Sequence, residues 1–305
     1  MSEKNYIVET LDPKDFDEWV AHCGSIFDVG PDYFRRHFMS DPHRDYNSIF
    51  VIKDDGKIVS TVRVFHREVY LGGKIYKMGG IGEVSTNPTH RKLGLSYKLM
   101  EAATDYMKQN GFALSLLSTG YYSHYEKHGF KQVNFYEKIV NTSVILTDER
   151  SRSIRPLTTA DYDAMAELYT KHCANLNSCI VRTKEYWQVW CAGEIKNPHG
   201  LFIDDILVGY VCFGDDRNWI AEIVVNDKSI YDCLIKFVKA DGEVSMPKII
   251  PTSGEIIREQ THRGAMICVY KPLDVGNGGI LQDTAAVVEY INANGGIVWW
   301  SQDGF

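Results

Sequence analysis

The sequence has no apolar run that approaches the roughly 20 residues of a membrane-spanning helix. Its first residues, MSEKNYIVETLDPKDF, lack the apolar core of a secretory signal peptide. Its seven cysteines show no C-x-x-C spacing, which argues against a disulfide framework and against a zinc site. These absences predict a cytoplasmic protein with reduced thiols and no place in a membrane.

Positive charge is also in short supply. The chain has 33 Lys and Arg against 40 Asp and Glu, which gives a net charge of −7. A nucleic-acid platform needs a basic face, so this balance disfavours nucleic acid as a partner. An acidic chain is compatible with a cationic substrate.

Two well-known phosphate-binding motifs are missing as well. The sequence contains neither G-x-x-x-x-G-K-[ST] nor G-x-G-x-x-G, which disfavours a P-loop nucleotidase and a dinucleotide-binding fold. It does contain a short basic loop, Arg91-Lys92-Leu93-Gly94-Leu95-Ser96. The N-terminus of a helix offers unpaired backbone N–H groups and a partial positive charge to an anion. The loop is therefore predicted to hold a pyrophosphate, with Arg91 and Lys92 as added donors and Gly94 allowing close approach of the backbone.

The segments around this loop predict a strand, a helix and a second strand. Residues 81–86 have strand character and end at Asn87-Pro88. After the loop, apolar residues recur at helical spacing, namely Leu95, Leu99, Ala102, Ala103 and Tyr106. Gly111 is predicted to end this helix, and residues 114–119 form the next strand.

At these residues the chain resembles the GNAT superfamily of acyl-CoA N-acyltransferases. That family carries [RQ]-x-x-G-x-[GA] between its fourth strand and third helix, and Arg91–Ser96 fits, with Ser96 as a small-residue departure. The family often has Y-x-x-x-G-[FY] about thirty residues later, and Tyr125–Phe130 fits this second motif. The resemblance implies an α/β fold, a mixed central sheet flanked by helices, and acetyl-CoA as co-substrate.

The resemblance accounts for about the first 145 residues, so we expect a catalytic GNAT domain over residues 1–148. Its closing strands are predicted at residues 132–140 and 142–146, and a charged linker follows at 148–153. From residue 154 the helix and hairpin patterns repeat, but Asn226-Asp227-Lys228-Ser229 has neither the arginine nor the glycine of the loop. We therefore expect two tandem GNAT folds, the second (152–305) a degenerate copy that binds no CoA. This tandem is similar to the enhanced-intracellular-survival type of acetyltransferases, without the sterol-carrier-like third domain of that type.

The resemblance also assigns residues to the binding of CoA. The pyrophosphate is expected on Arg91, Lys92, Leu93, Gly94, Leu95 and Ser96. The pantetheine arm is expected to pair with the backbone of Val84, Ser85 and Thr86, where one N–H stabilises the oxyanion of the tetrahedral intermediate. The histidines His124 and His128 have helical i, i+4 spacing but lack a third ligand, so no metal is expected.

Catalytic roles are assigned in the same way. Tyr125 is the candidate general acid that protonates the departing thiolate, with Tyr121 and Tyr122 as nearby competitors. Glu83, on the predicted fourth strand, is the first candidate for the general base, against the alternative of a structural salt bridge. Other candidates for the base are His66, His124 and the C-terminal carboxylate of Phe305. Of these, Phe305 ranks below Glu83.

Three aromatic residues of a predicted helix, Tyr33, Phe34 and Phe38, either line the acceptor cleft or pack on the sheet. The expected function is N-acetylation of a primary amine, carried by a small molecule or a peptide, by direct attack in a ternary complex. The alternative is a non-catalytic acyl-CoA sensor or assembly module, and a different acyl donor and a homo-oligomer both stay open.

Overall fold

The computed structural model describes residues 4–262, 264–298, 300, 303 and 304. Its strands are β1 Val8–Thr10, β2 Ile49–Asp54, β3 Lys57–Leu71, β4 Lys74–Thr86, β5 Leu114–Ser118, β6 Lys131–Gln132, β7 Phe135–Asn141, β8 Ile154–Pro156, β9 His199–Ile203, β10 Ile206–Phe213, β11 Ile220–Val225, β12 Glu243–Pro247, β13 Glu255–His262, β14 Ala265–Val269, β15 Leu273–Asp274 and β16 Ile280–Leu281. Its α-helices are α1 Phe16–Ile26, α2 Pro31–Met39, α3 Leu95–Gln109, α4 Tyr122–Glu126, α5 Tyr162–Cys173, α6 Lys184–Tyr186, α7 Ala192–Glu194, α8 Tyr231–Val238 and α9 Thr284–Ala293, with a π-helical turn at Trp187–Cys191.

The first sheet has seven strands in the order β1-β2-β3-β4-β5-β14-β6. Strands β4 and β5 are parallel, and α3 forms the crossover between them, while the other neighbours are antiparallel. A parallel pair requires such a crossover, and an amphipathic helix over the sheet supplies it. This arrangement places the N-terminus of α3 at the end of β4.

The second sheet repeats this order with later strands. One part runs β11-β10-β9-β8 and the other runs β12-β7-β13. A parallel bridge from Trp219, just before β11, to Ser245 in β12 joins the two parts. Read from β8, the order is β8-β9-β10-β11-β12-β7-β13. Each strand corresponds to the strand at the same position of the first sheet, so that β11 corresponds to β4 and β7 to β14. The predicted fold class, two mixed sheets flanked by helices, is confirmed.

The two sheets exchange one strand each. β7 lies in the second sheet between β12 and β13, and β14 lies in the first sheet between β5 and β6. The expectation that residues 132–140 close the first sheet was therefore wrong. Residues 142–146 form no strand, because β7 ends at Asn141, where the pairing with both of its neighbours also ends. The boundaries 1–148 and 152–305 stay a prediction.

Helix α3 lies where it was predicted, with Leu95, Leu99 and Ala103 of the predicted face buried and Ala102 and Tyr106 half-buried. Its buried face consists of Leu95, Leu99, Met100, Ala103, Thr104 and Met107. It begins directly after Gly94 and ends before Gly111, whose φ of +73° suits glycine at a helix C-terminus. The apolar face fixes the helix on the sheet, and this fixes the position of the basic loop.

The seven cysteines are all free and buried. In the described part of the chain, no helix combines the length and the apolar character that crossing a bilayer requires.

Candidate active site

A bulge in β4 shapes the centre of the site. Arg63 of β3 pairs with Gly82, whereas Thr61, two residues earlier, pairs with Ser85, so β4 carries one extra residue there. Glu83 occupies the bulge with a φ of +56°. A bulge bends the strand and redirects a side chain, and a non-glycine residue with positive φ is uncommon. The bulge in the backbone therefore lies at Glu83, the first candidate for the general base.

Next to the bulge, β4 and β5 separate. They pair only where Met78, Gly79 and Gly80 lie beside Leu114, Ser115 and Leu116. Beyond Gly80, in the described residues, the edge of β4 that faces β5 has no strand partner. Val84, Ser85 and Thr86 lie along this edge, and β3 occupies the other edge of β4. An open strand edge provides N–H and C=O groups for an extended ligand, which is the arrangement that the predicted pantetheine contacts need.

The basic loop lies at the end of this open edge. Lys92 and Gly94 have φ values of +67° and +76°, and no side chain caps α3, which begins at Leu95. The first N–H groups of α3 therefore have neither an intrahelical partner nor a cap. Arg91, Lys92, Leu93 and Gly94 are exposed, Ser96 is half-buried, and Leu95 is buried as the first core residue of α3.

A groove of about 650 Å³ borders the loop, and Lys92 and Lys98 of the loop and α3 line it together with Lys4. Lys4 is paired with Asp54 and Asp55, whereas Lys98 reaches the backbone carbonyl of Tyr6 at 3.5 Å. Positive side chains beside uncapped N–H groups suit a pyrophosphate.

Tyr125 lies in α4 and is 8% exposed. Its ring belongs to the apolar cluster that also contains Ile81 of β4 and Leu117 of β5, the residues that follow the last paired positions of these two strands. Burial raises the pKa of the Tyr125 phenol to about 12, although a hydrogen bond with Thr119 opposes the shift. At neutral pH this phenol keeps its proton and is able to donate it. Of the two competitors, Tyr121 is 80% exposed.

The Glu83 side chain is 7% exposed. Its Oε1 accepts a hydrogen bond from Arg63 Nη1 at 3.4 Å, while Oε2 is buried without a partner among the described residues. Burial raises the pKa of the Glu83 carboxyl to about 7, although Arg63 opposes the shift. A carboxylate whose pKa lies near the working pH is suited to general-base catalysis.

Sequence reasoning missed the buried charges behind Glu83. Asp41 accepts hydrogen bonds from Arg63 Nη2 at 2.9 Å and from Arg67 Nη1 at 3.0 Å, and all three side chains are at most 1% exposed. Burial alone would raise the pKa of Asp41, but the two guanidiniums hold it below its usual value. The available signal was the pair of arginines, four residues apart, inside the apolar strand β3. This network holds Arg63 in place and therefore helps to position Glu83.

A pocket of about 290 Å³ lies on the other side of Glu83. Tyr33 and Phe34 of α2 line it, together with Phe27 and Val29 of the α1–α2 loop and Phe65 of β3. Phe38 is fully buried and is absent from the lining. The two alternatives for these aromatic residues are thus both realised, since Tyr33 and Phe34 line a cleft and Phe38 packs in the core.

The second half of the chain reaches this pocket as well. Glu194, at the end of α7, lies 3.3 Å from Nε2 of His37, which lines the pocket. Nothing in the local pattern around Glu194 indicated this contact.

The histidine candidates lie elsewhere. His66 faces α3, where its Nε2 lies 3.0 Å from the Tyr106 hydroxyl. His124 and His128 face each other at 5.9 Å between ring centroids, and burial lowers the pKa of both. Among the described residues, no group of three His, Cys, Asp or Glu side chains is placed to hold a metal ion.

The last candidate base, Phe305, lies outside the described residues. Asp303, two residues earlier, is buried and accepts hydrogen bonds from Arg182 Nε at 2.9 Å and from the Tyr186 hydroxyl at 3.2 Å.

The comparison with protein families supplies the decisive observation, since residues 8–133 match the model described as "Acetyltransferase (GNAT) domain". Residues 8–133 are thus similar to a GNAT acetyltransferase domain. The match covers β1 to β6 and thus includes the bulge, the open edge, the basic loop and Tyr125.

Solved structures with this fold extend the likeness to both halves of the chain. A GCN5-related N-acetyltransferase from Anabaena variabilis ATCC 29413 is 14% identical, with 88% of this chain and 73% of that chain covered and a TM-score of 0.70. Eis1 from Mycobacterium abscessus is 12% identical, with 88% and 77% covered and a TM-score of 0.62. A conserved protein of unknown function from Enterococcus faecalis V583, described as a probable N-acyltransferase, is 16% identical, with 88% and 73% covered and a TM-score of 0.72. The comparison with curated proteins gives no match.

Proposed function

We propose that this protein transfers an acetyl group from acetyl-CoA to a primary amine by direct attack in a ternary complex. One observation carries the proposal: the unpaired edge of β4 beyond Gly80 runs from the buried Glu83 to the uncapped N-terminus of α3. This edge offers hydrogen bonds to an extended pantetheine arm, and the helix end offers them to the pyrophosphate.

The reaction needs two proton transfers, one from the amine and one to the sulfur, and different residues carry them. Glu83 takes the proton that the attacking amine loses, directly or through water, as the new C–N bond forms. A backbone N–H among Val84, Ser85 and Thr86 stabilises the oxyanion, and Tyr125 protonates the sulfur when the C–S bond breaks. The products are the amide and free CoA. Glu83 then holds one extra proton and Tyr125 lacks one, and proton exchange with water restores both groups.

The state of Cys23, whose thiol interacts electrostatically with Glu83, disfavours a covalent acyl-enzyme. Cys23 is fully buried, and burial raises the pKa of its thiol far above the usual value. A buried thiol of this kind is a poor nucleophile. Direct attack by the amine therefore remains the route that the site supports.

We further propose that the second half of the chain binds no CoA. Its strand β11 and helix α8 correspond to β4 and α3. The turn Lys228–Ile230 leads directly into α8, and its Ser229 N–H donates to the Asp227 side chain at 2.8 Å, where the first half has the neutral Asn87 on the Thr89 N–H. A carboxylate at this position repels the charge of a phosphate near the start of α8. The seven buried, free cysteines support the cytoplasm as the compartment.

The test measures free CoA with a thiol reagent while the protein is incubated with acetyl-CoA and a panel of monoamines, polyamines, aminoglycosides and lysine peptides. Amine-dependent release of CoA is expected, together with the acetylated amine in the mass spectrum. Binding of acetyl-CoA in a calorimeter without release for any amine would instead support the non-catalytic sensor. Absence of binding would reject both.

A further inference from the structure

The pocket beside Glu83 is lined mainly by apolar and aromatic side chains, with Asp28 and His37 as its other polar lining residues. Phe27 and Tyr33 each pack against Phe34, with ring centroids 5.5 Å and 5.2 Å apart, so the three rings form one wall. Phe65 and Val29 complete the apolar lining. Such a surface favours a ligand with an apolar body, because burying that body removes apolar area from water.

One buried carboxylate oxygen in the wall is available to such a ligand. Among the described residues, Oε2 of Glu83 is the one buried carboxylate oxygen without a hydrogen-bond partner. A buried acceptor without a partner is costly, and an ammonium group donating to it removes that cost. The rings beside it also favour a cation near their faces.

A second ammonium group of the same ligand finds no buried, unpaired carboxylate oxygen like that of Glu83 among the described residues of the pocket. Glu194 is already engaged by His37 at 3.3 Å and by Arg36 at 3.7 Å. The Arg36 guanidinium lies 5.7 Å from the centroid of the Tyr33 ring, so one positive charge already faces this wall from outside. Asp28 also lines the pocket, but it is exposed on the loop, where water solvates its charge and weakens any ion pair. A second ammonium held inside the pocket would lose its hydration and gain no further buried carboxylate in return.

From this geometry we propose that the acceptor is a primary monoamine whose one cationic nitrogen carries an aryl or short alkyl body. The inference rests on the proposed acetyl transfer for its catalytic meaning, and on the pocket alone for binding. The volume of about 290 Å³ accommodates a molecule of this size, whereas an aminoglycoside brings several ammonium groups for which the lining offers no further buried carboxylate.

The test compares amines that differ by one charge. We expect kcat/KM to be at least about tenfold higher for n-butylamine and for 2-phenylethylamine than for 1,4-diaminobutane, a discrimination of the size that one uncompensated polar group produces. Titration of the same three amines in a calorimeter, without acetyl-CoA, is expected to give the same order of affinity.

A charge placed in the wall tests the position. Phe27→Asp supplies a carboxylate within the aromatic wall, in addition to the exposed Asp28, and is expected to improve kcat/KM for 1,4-diaminobutane relative to n-butylamine. Leu146→Asp makes the same change at a residue that is 86% exposed and lies outside the pocket lining, and it is expected to leave this ratio unchanged.

The outcomes separate the two proposals. Tight binding of n-butylamine without release of CoA keeps the pocket assignment and rejects acetyl transfer. Release of CoA that is fastest with 1,4-diaminobutane keeps acetyl transfer and overturns the monoamine assignment, and so does an equal effect of the two aspartate variants.

Discussion

At the scale of single residues, the site depends on the position of Glu83. Its side chain is buried beside the bulge, Arg63 donates to one oxygen, and the second oxygen has no partner among the described residues. Burial raises the pKa of Glu83 to about 7, so near neutral pH the carboxyl is present in both protonation states. Its charge state therefore affects the reaction and also the stability of the fold.

Glu83→Gln is expected to abolish the base. In the wild type, kcat/KM for the amine should rise with pH through about 7, as the Glu83 carboxyl ionises, and the variant should lose this limb. Glu101→Gln removes a carboxylate from the exposed face of α3 and should keep the wild-type profile. An unchanged pH profile in Glu83→Gln would assign the base to another group.

The same variant is expected to change the pH dependence of stability. Because the folded-state pKa of Glu83 lies above the ordinary value of 4.5, the folded protein holds this proton more tightly than the unfolded chain does. The free energy of unfolding should therefore fall as pH rises from about 4.5 to about 7, by up to about 3 kcal/mol from this group. Urea unfolding at pH 5 and pH 8 should show a smaller decrease for Glu83→Gln than for the wild type.

Tyr125→Phe removes only the phenolic oxygen from a buried ring. We expect kcat to fall by about 10²–10⁴ because the thiolate loses its proton donor, with little change in KM for acetyl-CoA. Tyr122→Phe makes the same change three residues away in α4, and it should leave kcat near the wild-type value. Steady-state kinetics on the two variants decide between these residues, and near-normal turnover of Tyr125→Phe would reject its role.

At the scale of secondary-structure elements, the loop before α3 depends on two residues with positive φ, Lys92 and Gly94. Gly94→Ala is expected to cost about 1–2 kcal/mol, since a Cβ disfavours this conformation. As the backbone adjusts, the N–H groups of α3 move, and KM for acetyl-CoA should rise about tenfold.

A matched control exists in the β2–β3 turn. Gly56 has a φ of +78°, and, as at Gly94, a Cβ there would meet no atom within 4 Å. Gly56→Ala should therefore lose a similar amount of stability while KM for acetyl-CoA stays unchanged. Equal effects of both variants on KM would show that the loop acts only through stability.

The elements that could be predicted from sequence are those with a local cause. The helix from Leu95 to Gln109 follows from apolar spacing, and the loop before it follows from Gly94 and its basic neighbours. The strand predicted at residues 142–146 is absent for a non-local reason, because a strand exists only where a partner strand is available. Which sheet receives β7 depends on pairing with β12 and β13, more than a hundred residues later, and no periodicity in the sequence specifies that.

The candidate site divides in the same way. Tyr125 and Arg91–Ser96 could be found because their spacing is local. Arg63, Asp41 and Glu194 could not, because their roles arise from contacts between segments that are distant in sequence.

At the scale of the whole molecule, the exchange of β7 and β14 makes each sheet dependent on both halves of the chain. Residues 1–148 expressed alone lack the strand between β5 and β6 and leave β7 without its partners. We expect this fragment to aggregate, since unpaired strands are templates for association. Co-expression with residues 152–305 should give a soluble complex, and the intact chain should unfold in one calorimetric transition.

A fragment 1–148 that is monomeric and unfolds cooperatively would contradict this dependence. Two separate transitions in the intact chain would contradict it as well.

The exchange also sets the order of events on the ribosome. The loop, the bulge and Tyr125 are all synthesised before residue 133, but the first sheet lacks its sixth strand in space until Val269 has emerged. At a synthesis rate of about 5–20 residues per second, the 151 residues from Ser118 to Val269 take roughly 8–30 s. For that interval β5 has an open edge, so we expect the nascent chain to be prone to association until its C-terminal part arrives.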